Sequence, residues 1–517
     1  MYEKLKFRRQ FLLAKAPIAP PDGWTSLQID ESFLYAHPDL EVNRVVDKKK
    51  TIVLIGNLFD SEDPEKGNAD ILHDILANTS TMETLVLWIK QYAGSYALLY
   101  KDDKDAFIQH DALALREVYY CTKDNQIVCG SQPNLIAKFA DPQIKPTSDP
   151  DLLDFYENHF KNSKWIGDET YYEGVKHLLP NHCLDINRRK VVRYWPNESI
   201  KQLNLDEAVS KCCAFLQGIM RAIVHRHPVM MAVTAGTDSR TLLAASRGLH
   251  DKIYYFVNNQ GLSDKHPDIS VPRKIFSSIG VRFHVHDVPE EVDDEFRNIF
   301  LGNAFFATER ILPTIYNVYF KNHSEKVNIL GIGEIGRTRY GKEPVNLNSY
   351  LMAYKLGYTE SCPYAIRQGE QILAELLPVG RKFNVNILTL LYWEQMMGNW
   401  GSVGNSESDI AIEEVNPYDS HKLYEIFLGV DGKYTKYNQS PCVLFKEMIR
   451  SMWPELLDQP INPPFTMRSK VAWLLGRVGM FELLKKLKYQ VKYLLHFYKT
   501  KMLVMHSMDK PPGPRKD

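Results

Sequence analysis

Net charge is the first thing this 517-residue sequence lacks: 63 acidic residues cancel 63 basic ones, so no global field draws the chain to nucleic acid or to an anionic membrane. Any basic surface must be local. Cysteine is scarce too, seven residues with no Cys-x-x-Cys pair, which removes the usual dithiol and zinc-ribbon spacings. The adjacent Cys212 and Cys213 fall in a helical stretch, where neighbours point to different faces, so they read as core rather than as a metal pair. No apolar run reaches membrane-spanning length, and the opening Met1-Tyr2-Glu3-Lys4-Leu5-Lys6 has no signal-peptide h-region; the expected compartment is the reducing cytoplasm. Internal repeats and low-complexity tracts are also missing. Length points the other way: a chain this long exceeds one hydrophobic core, and two domains plus an extension are expected.

The rhythm of the chain changes along its length. From Thr51 to Lys138 short alternating strands follow one another, among them Thr51–Ile55, Tyr96–Tyr100, Ala106–Ile108, Val118–Cys121 and Ile127–Cys129, with one helix near Thr81–Tyr92. Such a pattern suits an α+β sandwich. Residues 142–195 read as a connector. A long helix, Glu207–His225, then leads into strand Val229–Val233, and βα units repeat through Ile253–Val257, Val281–Val285 and Val327–Leu330. That is the pattern of a parallel doubly wound sheet, whose ligands lie outside the carboxyl ends of the strands.

One such end is chemically distinctive. After Met230-Met231-Ala232-Val233, the residues Thr234, Ala235, Gly236, Thr237, Asp238, Ser239 and Arg240 form a small-residue loop that opens a helix. Narrow side chains let successive N–H groups converge on one anion, and the helix points its positive end at the same spot. Asp238 adds a carboxylate beside that cradle, which makes Mg²⁺-nucleotide the economical ligand. The bland alternative is a glycine turn in which Asp238 or Ser239 merely caps the helix.

Thr234–Ser239 resembles the Ser-Gly-Gly-x-Asp-Ser pyrophosphate loop of the ATP pyrophosphatase superfamily. Upstream, Leu178-Leu179-Pro180-Asn181-His182 and Arg193-Tyr194-Trp195 resemble marks that precede this loop in asparagine synthetases, and Gly94–Leu98, Asp111, Arg116–Tyr120 and Gly130-Ser131 resemble hairpins of their glutaminase domain. The resemblance covers most of residues 50–470. It implies an α+β N-terminal-nucleophile glutaminase-like sandwich with connector over residues 1–195, an α/β parallel-sheet ATP pyrophosphatase domain over 200–470, and a basic extension over 471–517.

Two phosphate-loop patterns are decoys. Gly331-Ile332-Gly333-Glu334-Ile335-Gly336 spells G-x-G-x-x-G, but the charged residues that follow end at Pro344 and open no apolar helix. Gly336–Lys342 matches a Walker pattern with Glu343 where a hydroxyl should bind Mg²⁺. In position the segment resembles the Ser-Gly-Glu-Gly-Ala-Asp-Glu loop of asparagine synthetases, about two residues shortened. Glu334 then matches either the family's first glutamate or its metal-binding aspartate, so it is expected both as a catalytic residue and, with Asp238, as a metal ligand.

Departures from the family are as informative. Its glutaminases use a cysteine at position two, whose α-amine serves as base; here Tyr2 stands there and the first cysteine is Cys121. Gly56-Asn57 replaces most of the glutamine-holding Asn-Gly-Glu, so the domain is expected without glutaminase chemistry, as in β-lactam synthetase and lasso-peptide cyclases. The lysine expected near Pro460–Phe465 is missing, leaving Arg240, Lys265 or Arg273 as substitutes, with Arg240 the catalytic candidate. Glu413-Glu414-Val415-Asn416-Pro417 lacks the arginine of the family's Glu-x-Arg-x-Pro element.

The resemblance implies an ATP-dependent ligase that activates a small-molecule or peptide carboxylate as acyl-adenylate, releases pyrophosphate and passes the acyl group to an amine, with ATP and Mg²⁺ as cofactors and no nucleic-acid partner. A nucleotide-binding scaffold without turnover, or another reaction of the superfamily, is the alternative. Homo-oligomerisation stays open. Between Met480 and Met505 lie six lysines and one glutamate, with Phe481, Leu484, Val491, Leu494, Leu495 and Tyr498 on one helical face; the segment reads as a helix docked on the second domain or as a peripheral membrane contact.

Overall fold

A computed structural model describes residues 2–494 except 124, 161–163, 338, 360, 437–440, 468, 472, 473, 475–479, 481–483, 485 and 486. The first half is built from two six-stranded antiparallel sheets. One runs Lys176–His177, Tyr119–Lys123, Gln126–Gly130, Phe11–Ala14, Ser32–Ala36, Thr25–Ile29. The other runs Lys190–Arg193, His182–Asp185, Ala106–His110, Tyr96–Lys101, Lys50–Gly56, Val42–Asp47. Side-chain alternation sends Val53 and Ile55 into a core with Leu13, Leu34 and Cys129 of the facing sheet, and Ile52 and Leu54 onto Ile71, Leu72 and Ile75 of helix Asn68–Asn78. Covered on both faces, Lys50–Gly56 needs an unbroken apolar run, and it has one.

Three expectations change here. The strands before Thr51 and helix Asn68–Asn78 were not anticipated, and the helix expected over Thr81–Tyr92 is a helix Met82–Trp88 followed by a short 3₁₀ turn. Residues 142–195 are more than a connector, because Lys176–His177 edges the first sheet and His182–Asp185 with Lys190–Arg193 completes the second. The turn before His182 needs a left-handed residue, and Asn181, at φ 71°, supplies it; asparagine is among the few non-glycine residues that tolerate this.

The second half carries a five-stranded parallel sheet in the order His284–His286, Ile253–Asn258, Val229–Ala232, Val327–Ile329, Glu413–Val415. By sequence that is 3-2-1-4-5, a doubly wound order with its reversal between the strands Val229–Ala232 and Val327–Ile329. Helices cover both faces: Leu242, Ile275 and Phe276 on one, Phe296, Phe300 and Ile315 on the other. The helix after the first strand starts at Thr237, not Thr241, so the second half of the small-residue loop is already helical.

The chain's start belongs to this second half. Tyr2 packs edge-on against Phe296 and Phe320, and Phe7 N–H donates to Asn303 Oδ1 at 2.6 Å. Arg8 and Arg9 donate to the carbonyls of Asp409, Ile410 and Ala411. All seven cysteines are buried and none forms a disulfide; Cys212 and Cys213 are core residues.

From Met467 to Leu494 every described position in the chain is helical. Tyr489 and Tyr493 hold it against Tyr350, at ring distances of 6.1 and 5.9 Å. On the expected apolar face Leu484, Val491 and Leu494 are about half exposed, while Phe481, Leu495 and Tyr498 lie outside the described residues. No described helix is long and apolar enough to cross a membrane.

Candidate functional site

The switch point of the parallel sheet brings two loops together. From the first strand come Thr234–Gly236 and helix Thr237–Ala245; from the fourth come Gly331–Gly333 and the 3₁₀ turn Glu334–Gly336. The absence of side chains at Gly331 and Gly333 lets them meet closely. A Cβ on Gly331 would lie 3.4 Å from the Ser239 nitrogen, and one on Gly333 would lie 3.1 Å from Asp238 Oδ1. The second loop thus closes over the helix N-terminus, backbone to backbone.

The small loop is held by its own side chains. Ser239 Oγ accepts from Thr234 N–H at 3.2 Å, Thr234 Oγ1 accepts from Gly236 N–H at 3.1 Å, and Asp268 Oδ1 accepts from Ala235 N–H at 3.1 Å. Asn462 N–H reaches Ala235 O at 2.9 Å, so the segment where the family carries its lysine does lie over this loop. Helix Thr237–Ala245 begins at Gly236 without a side-chain cap, which contradicts the bland reading of Asp238 or Ser239 as N-cap.

Asp238 is partly buried beside this turn. Tyr418 OH donates to its carbonyl at 3.0 Å, and Arg337 Nη2 donates to its Oδ2 at 2.6 Å. Its Oδ1 is buried without a hydrogen-bond partner. Burial pushes the carboxyl up to about 6 against the pull of Arg337, with Glu334 adding to the rise. Glu334 accepts from Arg339 at 2.8 Å, lies 3.8 Å from Arg337, and accepts from Tyr392 OH on its other oxygen. Asp238 and Glu334, singled out separately in the sequence, are therefore bridged by one guanidinium.

Arg240 is a correction. It points away from the cradle into the protein, fully buried, and donates to the carbonyls of Leu456 at 2.7 Å and of Gln459 and Pro460; burial without an acid lowers it to about 10. One turn along the helix from Thr237, it faces the packed side and holds the segment that carries Asn462. Arg273 pairs with Asp264 at 2.8 Å. The guanidinium that contacts Asp238 is Arg337, and Arg339 contacts Glu334.

Behind the two loops a cavity of about 410 Å³ opens along the carboxyl ends of the strands, lined by Asp238, Asn258, Gly331, Glu334, Glu407 and Glu414 among others. Glu407 Oε1 accepts from Thr308 N–H at 2.6 Å, and Glu414 Oε1 from Asn328 Nδ2 at 2.9 Å. Asn416, the fourth residue of the motif that lacks its arginine, exchanges two hydrogen bonds with Ile332 and fixes the second loop to the last strand. Glu407 carried no signal in the sequence, since its approach depends on the helix Ser402–Ser408 packing beside the fifth strand. Two carboxylates face the Asp238 side of the cavity; among the described residues no group of three or more His, Cys, Asp and Glu side chains is placed to hold a metal alone.

The glutamine-holding position implied by the family is closed. Arg226, at the end of helix Leu205–Arg226, donates to Asn57 Oδ1 at 2.6 Å and Asn68 Oδ1 at 2.8 Å. Asn57 Nδ2 in turn donates to Glu413 at 2.8 Å, across to the parallel sheet. Cys121 is buried in a strand of the first sheet.

No family model matches the sequence, and no curated protein matches it. Among solved structures the chain is similar to glutamine phosphoribosylpyrophosphate amidotransferase from B. subtilis complexed with ADP and GMP, at 14% identity over 54% of this chain and 67% of that one, with a TM-score of 0.22. It is also similar to a structure described as the allosteric regulatory enzyme of purine biosynthesis, at 11% identity over 59% and 74%, with a TM-score of 0.23. Likenesses at such scores carry no argument about activity.

Proposed function

We propose that the protein is an ATP-dependent, AMP-forming ligase: a substrate carboxylate attacks the α-phosphorus of ATP, pyrophosphate leaves along Thr234–Ser239, and an amine captures the acyl-adenylate. The observation that carries this reading is the pairing of an uncapped helix N-terminus with the partly buried carboxylate of Asp238, whose buried Oδ1 has no hydrogen-bond partner, at the switch point of a doubly wound sheet. On this reading the sheet is the ATP pyrophosphatase domain and the sandwich a glutaminase-like domain without its chemistry.

The residues fit Mg²⁺, which commonly uses one or two protein carboxylates and completes its shell with phosphate oxygens and water. Asp238 and Glu334 would hold it, and when bound it neutralises charge on the leaving pyrophosphate. The Thr234 and Gly236 N–H groups are turned inward onto Ser239 Oγ and Thr234 Oγ1, so the phosphates would be met by the Ser239 hydroxyl and by the N-terminus of helix Thr237–Ala245. Arg337 supplies the cation that the family draws from lysine and that Asn462 cannot supply. Glu334, tied to Tyr392, is positioned to orient or deprotonate the amine. Tyr340 packs edge-on against Tyr392 at 5.0 Å and keeps that pair in place.

The test is product analysis with labelled ATP and a panel of carboxylates bearing amines. AMP and pyrophosphate are expected, with Glu334→Gln lowering turnover more than ATP affinity. ADP and orthophosphate as products would exclude acyl-adenylation. A scaffold without turnover is favoured by one observation, the Arg337 pairing that already neutralises Asp238; tight Mg·ATP binding with no product from any carboxylate supports it.

A further inference from the structure

The cavity behind the two loops is charged unevenly. On the Asp238 side its carboxylates are matched, Asp238 by Arg337 and Glu334 by Arg339. On the far side the hydrogen bonds to Glu407 and Glu414 come from neutral donors, Thr308, Asn328 Nδ2 and Ser408, and the cation on the lining, the exposed Arg310, acts on Glu407. Both are almost fully buried.

A second observation is independent of these acids. Asn405 is 1% exposed, and its Nδ2 is committed to Leu115 O at 3.2 Å, yet its Oδ1 has no partner and the residue lines the cavity. Asn258 Oδ1, at the end of the second strand, is likewise buried and unpartnered beside the cavity. A buried acceptor left without a donor is costly, so both asparagines favour a ligand that brings donors. The indole of Trp400, 37% exposed, stands on the same lining.

We propose that this half of the cavity binds an organic cation, an ammonium or guanidinium group that donates to Glu407, Glu414, Asn405 and Asn258 and stacks beside Trp400. A multi-donor head satisfies several acceptors at once, and an aromatic face at the rim adds cation–π attraction. Burial pushes Glu407 up to about 7, with Glu117 adding to the rise, and Glu414 up to about 8, with Asp409 and Glu407 adding. The inference rests on the ligase reading only for the ligand's role as the amine-bearing substrate; the binding site stands without it.

The experiment is calorimetric titration of the full chain with agmatine, L-arginine and butylammonium, and with neutral butylurea, at pH 8. At least one cation should bind with a dissociation constant below about 1 mM and butylurea should not. Glu407→Gln and Glu414→Gln should each weaken binding about tenfold or more. Because a buried substitution can disturb folding, Gly404→Leu is the second variant: a Cβ on Gly404 meets nothing within 4 Å, so leucine should fill the cavity, abolish binding and leave the melting temperature unchanged or higher. Three outcomes overturn the proposal: no cation binding by 10 mM, binding indifferent to these variants, or Glu407-dependent binding of calcium chloride in place of the organic cations. Mg·ATP is titrated into the same preparations. Cation binding without ATP binding would end the ligase reading and leave this site; ATP binding without cation binding would do the reverse.

Discussion

The sandwich cleft at Asn57 and the parallel-sheet crevice at Asp238 are both places where the resemblance expects chemistry, and they treat their polar groups in opposite ways. At Asn57 the polar groups are paired with protein: Arg226 reaches from the second half to Asn57 and Asn68, and Asn68 Nδ2 is shared among Glu41, Gly56 O and Asn57. At Asp238 the crevice keeps buried acceptors open, on Asp238, Asn258 and Asn405. The same kinds of side chain cement two domains in one cleft and stay poised for a ligand in the other. A motif alone cannot tell these cases apart, because the partner that decides lies far away in sequence.

The largest effect expected from this contrast is in the crevice. Asp238→Asn should lower Mg·ATP affinity by about 100-fold, or roughly 2.7 kcal/mol; equal affinity by calorimetry removes the metal-and-phosphate assignment. Next comes the cleft. Arg226→Ala strips donors from Asn57, Asn68 and the Leu58 carbonyl, so chemical denaturation should show a loss of about 2 kcal/mol. Glutamate release from glutamine should stay at background in wild type and variant, and a signal abolished by Cys121→Ala would show the cleft to be active.

A smaller effect is pH-dependent. Glu414, raised to about 8, binds its proton more tightly folded than unfolded. Its contribution to stability is therefore full below the unfolded pKa near 4 and is lost as pH rises through 8. Glu414→Gln removes that loss, so the stability difference, variant minus wild type, should grow by about 2–3 kcal/mol between pH 6 and pH 9. A difference that is flat or shrinks with pH contradicts the buried, neutral carboxyl. Smallest is the tail: with Leu484, Leu487, Val491 and Leu494 facing outward beside Lys488 and Lys492, anionic vesicles should sediment more of the chain than neutral ones, and salt should reverse it.

What the sequence revealed follows from how local each feature is. The small-residue loop was legible because strand, loop and helix are contiguous, although the helix start was placed at Thr241, since nothing in Thr237–Arg240 marks a helix except the Gly236 conformation. Glu334 was legible from position, and its bridge to Asp238 was not, because Arg337 and Asp238 are 99 residues apart. Arg240 was misjudged for a simple reason. Its place in the chain beside Asp238 says nothing about direction, and on a helix a residue two positions on points to the other side. Residues 176–193 read as connector because two- to four-residue strands carry almost no periodicity.

Amide hydrogen exchange with and without Mg·ATP tests the contrast between the two clefts most directly. Exchange should slow in residues 230–245 and 327–337, which meet at the crevice, and stay unchanged in residues 55–60 and 93–96 around Asn57. Protection at Asn57 with none at Thr234–Ser239 would contradict that contrast.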